Sequence, residues 1–201
     1  MRRRNFLAAA AAASITLGSK GISQAQTGLT VDMVHFDPVN PVLGNPNGDV
    51  TMVEFFDYQC PYCKKGHPDV MRAVEEDGNV RLLMRDWPIF GEASVYAARI
   101  VLSAGSTGYG SALEALFRTE GALTIAQTNS LLAEAGFNVP ALEAAYRKNA
   151  DTIDGLLGRN MGIADAFGFS GTPSFVIGTQ LFFGYLDRPA IDKAIKAARG
   201  A

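Results

Sequence analysis

Two cysteines are present in the chain, and they lie two residues apart in Cys60-Pro61-Tyr62-Cys63. Positions three apart in a helix share one side of it. Two thiols so placed can close a disulfide and reopen it with little backbone movement. A helix that starts at Cys60 brings its unpaired N–H groups and positive dipole end to that sulfur, and both favour the thiolate. A thiolate is the form that attacks a disulfide, and a stable thiolate is also a good leaving group. The spacing therefore points to thiol–disulfide exchange. A purely structural disulfide competes with this reading, but closing so small a loop stabilises a fold least. Structural zinc takes four ligands; beyond the pair, His35 and His67 are the remaining His and Cys residues. Copper(I) accepts few, soft ligands and stays open as an alternative.

A strand and a helix must hold this pair. Val50 to Phe56 (VTMVEFF) is rich in β-branched and aromatic residues without clean alternation, the pattern of a central strand buried on both faces. Glu54 sits inside that run and needs a reason. Asp57-Tyr58-Gln59 reads as the turn, and a helix is predicted from about Cys60 toward Asp77. Pro61 falls in its first turn, where a missing N–H costs nothing; Pro68 is expected to kink it. Val80 to Met84 reads as a second strand. From about Trp87 to Ser170 apolar residues recur at helical spacing, broken by Gly105, Gly108, Gly121, Gly136 and Pro140. Ser174 to Ile177 reads as a strand, Gly178-Thr179-Gln180 as a turn and Leu181 to Phe183 as its hairpin partner. Pro189 opens a last helix with Ile191, Ala194, Ile195 and Ala198 on one face. Without the helical block the order is that of a small α/β sandwich with mixed strand direction.

The beginning of the chain reads as a targeting segment. Arg2, Arg3 and Arg4 form a basic region, Phe6 to Leu17 is apolar but short, and Ser23-Gln24-Ala25 offers a small-x-small cleavage site. Residues 1–25 are therefore expected to be a cleavable signal peptide, of the general secretory or twin-arginine type. Its removal takes away four basic residues (Arg2, Arg3, Arg4, Lys20) and no acidic ones, moving the formal charge from −2 to −6. That acidic balance argues against nucleic acid or an anionic membrane as main partner. Residues 26–44 are turn-rich and predict a lead-in with at most one small edge strand. Residues 45–201 predict one domain, with the helical insertion at about 87–170.

The run Val53-Glu54-Phe55-Phe56-Asp57-Tyr58-Gln59-Cys60-Pro61-Tyr62-Cys63-Lys64 resembles the active-site strand and helix of the DsbA family. Gly171-Thr172-Pro173-Ser174-Phe175 resembles that family's cis-proline loop, and the resemblance extends over essentially the whole mature chain. It implies a thioredoxin-like α/β fold with a helical insertion between the second strand and the cis-proline strand. It implies an exported, periplasmic thiol–disulfide oxidoreductase whose redox-active disulfide is its own, with no cofactor and no metal. Cys60 is then the exposed nucleophile, Cys63 its shielded partner and Glu54 a buried carboxyl that relays a proton to or from Cys63. Thr172, Pro173, Pro61 and Tyr62 line the substrate-binding surface. The implied partners are cysteine-containing exported clients and a membrane redox protein. Pro61-Tyr62 and Thr172 depart from the strongest oxidants of the family, and Thr172 is more typical of its isomerase and copper-tolerance relatives. Dithiol oxidase is the leading expectation; reductase, isomerase and copper-binding protein are the alternatives. The short lead-in leaves no room for a dimer domain, so a monomer is expected. His67, Lys64 and Lys65 are expected to face water, and Trp87, Phe182 and Phe183 to pack in the core or its rim.

Overall fold

The computed structural model describes residues 28–200; the expected signal peptide lies outside them. The elements follow the order α1 (Val31–His35), β1 (Val42–Gly44), β2 (Val50–Phe56), α2 (Pro61–Asp77), β3 (Val80–Asp86), α3 (Glu92–Leu102), α4 (Gly105–Phe117), α5 (Ile125–Glu134), α6 (Val139–Ala166), β4 (Ser174–Ile177), β5 (Gln180–Phe183) and α7 (Arg188–Ala198). The strands form one sheet in the order β1-β3-β2-β4-β5. Only β2 and β3 run parallel; the other pairs are antiparallel. This is the expected mixed α/β fold, with α3 to α6 as the helical insertion.

All seven residues of β2 are buried, as its apolar run predicts for a central strand. Alternation along it divides the core in two. Val50, Met52 and Phe56 face the larger cluster, which holds both cysteines, α2, α7 and the inner faces of α3 and α4. Val53 and Phe55 face a smaller cluster with Val34, Trp87, Ile163 and Phe169. Glu54 follows the even positions and so lies on the cysteine side.

Local chemistry sets the helix ends. Cys60 is the extended N-cap of α2 and Pro61 opens its first turn. Gly78, left-handed at φ 72°, closes the helix. Thr124 and Gln127 form a reciprocal capping box on α5. Asn138 caps α6, which loses helical geometry once, at Asn149.

α2 runs from Pro61 to Asp77 with Pro68 inside it. One expectation needs correction here. The lead-in holds a helix as well as the edge strand. Thr30 accepts a hydrogen bond from Met33 N and starts α1, whose carbonyl end is held by two arginines of β3. Short helices are marginal alone and depend on such tertiary contacts, so local periodicity did not reveal it. Among the described residues no helix is long and apolar enough to cross a membrane.

Candidate active site

The turn after β2 is organised by Asp57, a fully buried carboxylate. Its Oδ1 accepts from Gln59 N and Ser94 Oγ, each at 2.7 Å, and its Oδ2 accepts from Ile89 N at 2.7 Å and Phe90 N at 3.1 Å. Its carbonyl accepts from Cys60 N at 3.1 Å. The turn is thereby tied to the loop that follows β3 and to the start of α3. Cys60 is fixed at the head of α2.

At that head the Cys60 thiol donates to the carbonyl oxygen of Thr172, with Sγ 3.0 Å from it. The Thr172–Pro173 peptide bond is cis. The neighbouring Cys63 thiol, hydrogen-bonding to the Cys60 sulfur, is the largest influence holding the Cys60 thiol down to about 6. Burial opposes it, while the Thr172 side chain and the backbone N–H groups of Cys63 and Tyr62 act with it. The Thr172 hydroxyl itself is buried without a hydrogen-bond partner. Cys63 goes the other way: burial first, then its service to Cys60 and the nearby Glu54, push its thiol well above the ordinary range. The two sulfurs are therefore unequal. One is poised as a thiolate near neutral pH and the other is held as a thiol.

Cys60 was expected to be exposed, and this is corrected: both cysteines are free and buried, Cys60 with 2% of its surface open. The Thr172 carbonyl lies directly against its sulfur.

Glu54 is buried in β2 opposite Met84. Its Oε2 has no hydrogen-bond partner, and no cation pairs with it among the described residues. Burial, with a smaller contribution from the charge on Cys60, pushes its carboxyl up to about 8. Near neutral pH it is largely protonated and able to give a proton to a sulfur. A second buried carboxyl, Asp86, lies on the same face of the sheet. It accepts from Tyr58 Oη at 2.7 Å and Tyr109 Oη at 2.9 Å, and burial pushes it up to about 7.

Pro61 and Tyr62 are exposed at the first turn of α2, with 59% of Tyr62 open, while Thr172 and Pro173 lie against Cys60. The residues singled out in the sequence thus converge on one place. Others behave differently from expectation. His67 is buried, not solvated; its Nε2 lies 2.6 Å from Glu114 Oε1 and its ring meets Phe117 edge-on. The helical insertion covers the face of α2 that carries it. Lys64 does not extend into water either, because its Nζ donates to Thr119 Oγ1 and to Gly121 O, both at 2.9 Å. Lys65 is exposed and lies over the Tyr185 ring. Trp87 is core, Phe182 half-buried, and Phe183 is 62% open but stacks edge-on against Phe169. Sequence reasoning missed Asp57, Gln59 and Asp86. The one available signal was an acidic residue at the carboxyl end of each parallel strand, where loops converge. Among the described residues no group of three or more His, Cys, Asp or Glu side chains gathers to hold a metal.

A family model described as thioredoxin matches residues 37–197. Among solved structures, a thioredoxin-like oxidoreductase from Silicibacter pomeroyi DSS-3 is 38% identical, with a TM-score of 0.82, over 86% of this chain and 99% of that one. The thiol-disulfide exchange protein alpha-DsbA2 from Wolbachia pipientis is 28% identical, with a TM-score of 0.77, over 83% of this chain and 90% of that one. The disulfide bond formation protein D of Bacillus subtilis is 37% identical over 62 residues, 29% of this chain and 28% of that protein. The chain spans about a quarter of the length of the curated relatives it matches. With a matching family model over most of its length, a cysteine pair at a helix head and a cis-proline loop facing it, the chain belongs to the thioredoxin family and is similar to thioredoxin-like oxidoreductases, among them one of DsbA type.

Proposed function

We propose that this protein is a periplasmic dithiol oxidase that passes a Cys60–Cys63 disulfide to cysteine-containing exported proteins. The observation that carries this reading is the inequality of the two sulfurs, with Cys60 held down to about 6 and Cys63 pushed far up. A stabilised Cys60 thiolate favours the reduced form of the pair, and a pair that favours reduction is a strong oxidant.

The reaction starts from the disulfide. A client thiolate attacks Cys60 Sγ, the Cys60–Cys63 bond breaks, and the electron pair leaves with Cys63. Glu54, protonated near neutral pH, gives its proton to the Cys63 sulfur and becomes a carboxylate. A second client thiolate then attacks the client sulfur of the mixed disulfide, and Cys60 leaves as a thiolate. The client has lost two electrons and gained a disulfide; the cysteine pair has gained both electrons. The Thr172–Pro173 loop supports an extended client segment by backbone pairing, and Pro61 and Tyr62 border it. A membrane redox partner takes the electrons back and restores the disulfide. The chain needs no other cofactor for this cycle and acts as a monomer.

Thr172 beside Cys60 favours a second reading, a reductase or isomerase kept reduced in the same compartment. One measurement separates the two. Equilibration of the purified protein with glutathione is expected to give a potential toward the oxidising end, near about −120 mV; a value near about −270 mV overturns the oxidase reading.

A further inference from the structure

Gln59 immediately precedes the nucleophile, and its side-chain amide reaches two separate loops of the helical insertion. Its Nε2 donates to Phe90 O at 3.1 Å and to Ser94 Oγ at 3.0 Å. Its Oε1 accepts from Leu123 N at 3.2 Å. Both amide protons and one acceptor position are thus in use. The loop between α4 and α5 is gripped a second time by Lys64, whose Nζ donates to Thr119 Oγ1 and Gly121 O. Leu123 is buried in the main core and anchors the loop, while Glu120, Gly121 and Ala122 at its crest are exposed.

Two segments are therefore tied to the surroundings of Cys60. One is the Thr172–Pro173 loop, 3.0 Å from its sulfur. The other is the Thr119–Leu123 loop, bonded by Gln59 and Lys64 on either side of Cys60 in sequence, together with Phe90, of which 51% is open. A long protein segment docked at Cys60 meets more of this surface than a small thiol such as glutathione does.

We infer that Gln59 is a specificity-determining positioning residue: it holds the Thr119–Leu123 and Phe90 segments in the surroundings of Cys60, so that protein clients are accepted by shape as well as by their sulfur. This rests on the oxidoreductase reading above. Gln59 touches no reacting atom in this scheme. Losing its three hydrogen bonds frees these segments to drift, which raises KM for a protein client and leaves the sulfur chemistry as it was.

The test compares two substrates, a reduced unfolded protein and reduced glutathione, with the oxidised full chain and its Gln59→Met and Ala122→Trp variants. Met matches the length of Gln and removes the hydrogen bonds. Trp at the exposed crest alters the loop surface without entering the core. For each variant the ratio of kcat/KM with the protein to the rate constant with glutathione is expected to fall about tenfold, mostly through KM. The equilibrium constant with glutathione is expected to stay within about twofold. Equal losses with both substrates, or no loss with either, overturn the inference. If Gln59→Met does not fold, Gln59→Asn, whose amide falls one methylene short of both loops, takes its place beside Ala122→Trp. A parent protein that exchanges with neither substrate overturns the oxidoreductase reading itself, an outcome distinct from an unchanged ratio.

Discussion

The sulfur of Cys60 and the carbonyl oxygen of Thr172 lie 3.0 Å apart, although 112 positions separate them in the chain. This contact joins the head of α2 to the segment leading into β4. It also makes Cys60 reactivity sensitive to charge. A neutral thiol donates to that carbonyl, whereas a thiolate cannot and needs donors from elsewhere. The Cys63 thiol, the Thr172 side chain and two backbone N–H groups supply them.

The first prediction concerns that thiolate. The reduced protein should show thiolate absorbance near 240 nm that titrates with a midpoint close to 6. Replacing Cys63 by Ala removes the largest stabilising donor and should move the midpoint upward, toward the ordinary value of 9.0. The folded value lies below the unfolded one. The group therefore stabilises the reduced fold fully above pH 9, and this stabilisation is lost as pH falls through 6. Its full extent is at most about 4 kcal/mol before solvent screening reduces it. The oxidised protein has no such thiol. The gap in urea stability between reduced and oxidised forms should therefore shift in favour of the reduced form from pH 6 to pH 9. A midpoint that Cys63→Ala leaves in place would show that Cys63 is not the donor.

Glu54 predicts the opposite slope. Its folded value, about 8, lies above the ordinary 4.5. Between those values the unfolded chain is ionised while the fold keeps the proton, so this group lowers stability as pH rises through that window. Glu54→Gln should therefore stabilise the protein at pH 8, by a few kcal/mol at most (order of magnitude), and leave it unchanged at pH 4. The same variant cannot give a proton to the Cys63 sulfur. Formation of the mixed disulfide should slow by about tenfold or more at pH 7. Stability that gains as much at pH 4 as at pH 8 would mean that the carboxyl is ionised in the fold.

Much of this site was legible because its chemistry is local. Cys60, Pro61 and Cys63 share one helical turn, and Glu54 interrupts an otherwise apolar strand, so sequence adjacency alone marks them. Thr172 and Pro173 were legible through the motif that precedes β4. What stayed hidden depends on which element covers which face. Lys64 and His67 read as solvated because a charged or polar residue on an isolated helix faces water; the α4–α5 loop and α4 itself cover them here. The exposure expected of Cys60 failed for the same reason, since the covering carbonyl comes from another part of the chain. Arg81 and Arg85 alternate along β3 like residues on an open face. They are instead the residues that receive α1, a helix too short to announce itself.

Arg85 yields the last prediction. It is fully buried with no carboxylate in contact, and burial lowers its guanidinium only to about 10, so it carries its charge at neutral pH. Its donors go to Val34 O and Met33 O at the carbonyl end of α1 and to Asn160 Oδ1, the last at 2.7 Å. Asn160 Nδ2 in turn donates to Asp86 O at 3.0 Å. Removing one acceptor from a buried charge leaves a desolvation penalty in place while its compensation is lost. Asn160→Leu, of similar volume, should therefore cost about 3 kcal/mol in urea unfolding. The Arg85→Met, Asn160→Leu double variant should recover much of that loss, because the charge that needed the acceptor is gone. Arg85 faces the smaller core cluster, across the sheet from the sulfurs, so the 240 nm titration midpoint should not move in either variant. A double variant that loses as much as the two single changes added together would mean that the pair is not coupled, and that α1 is held by its apolar contacts alone.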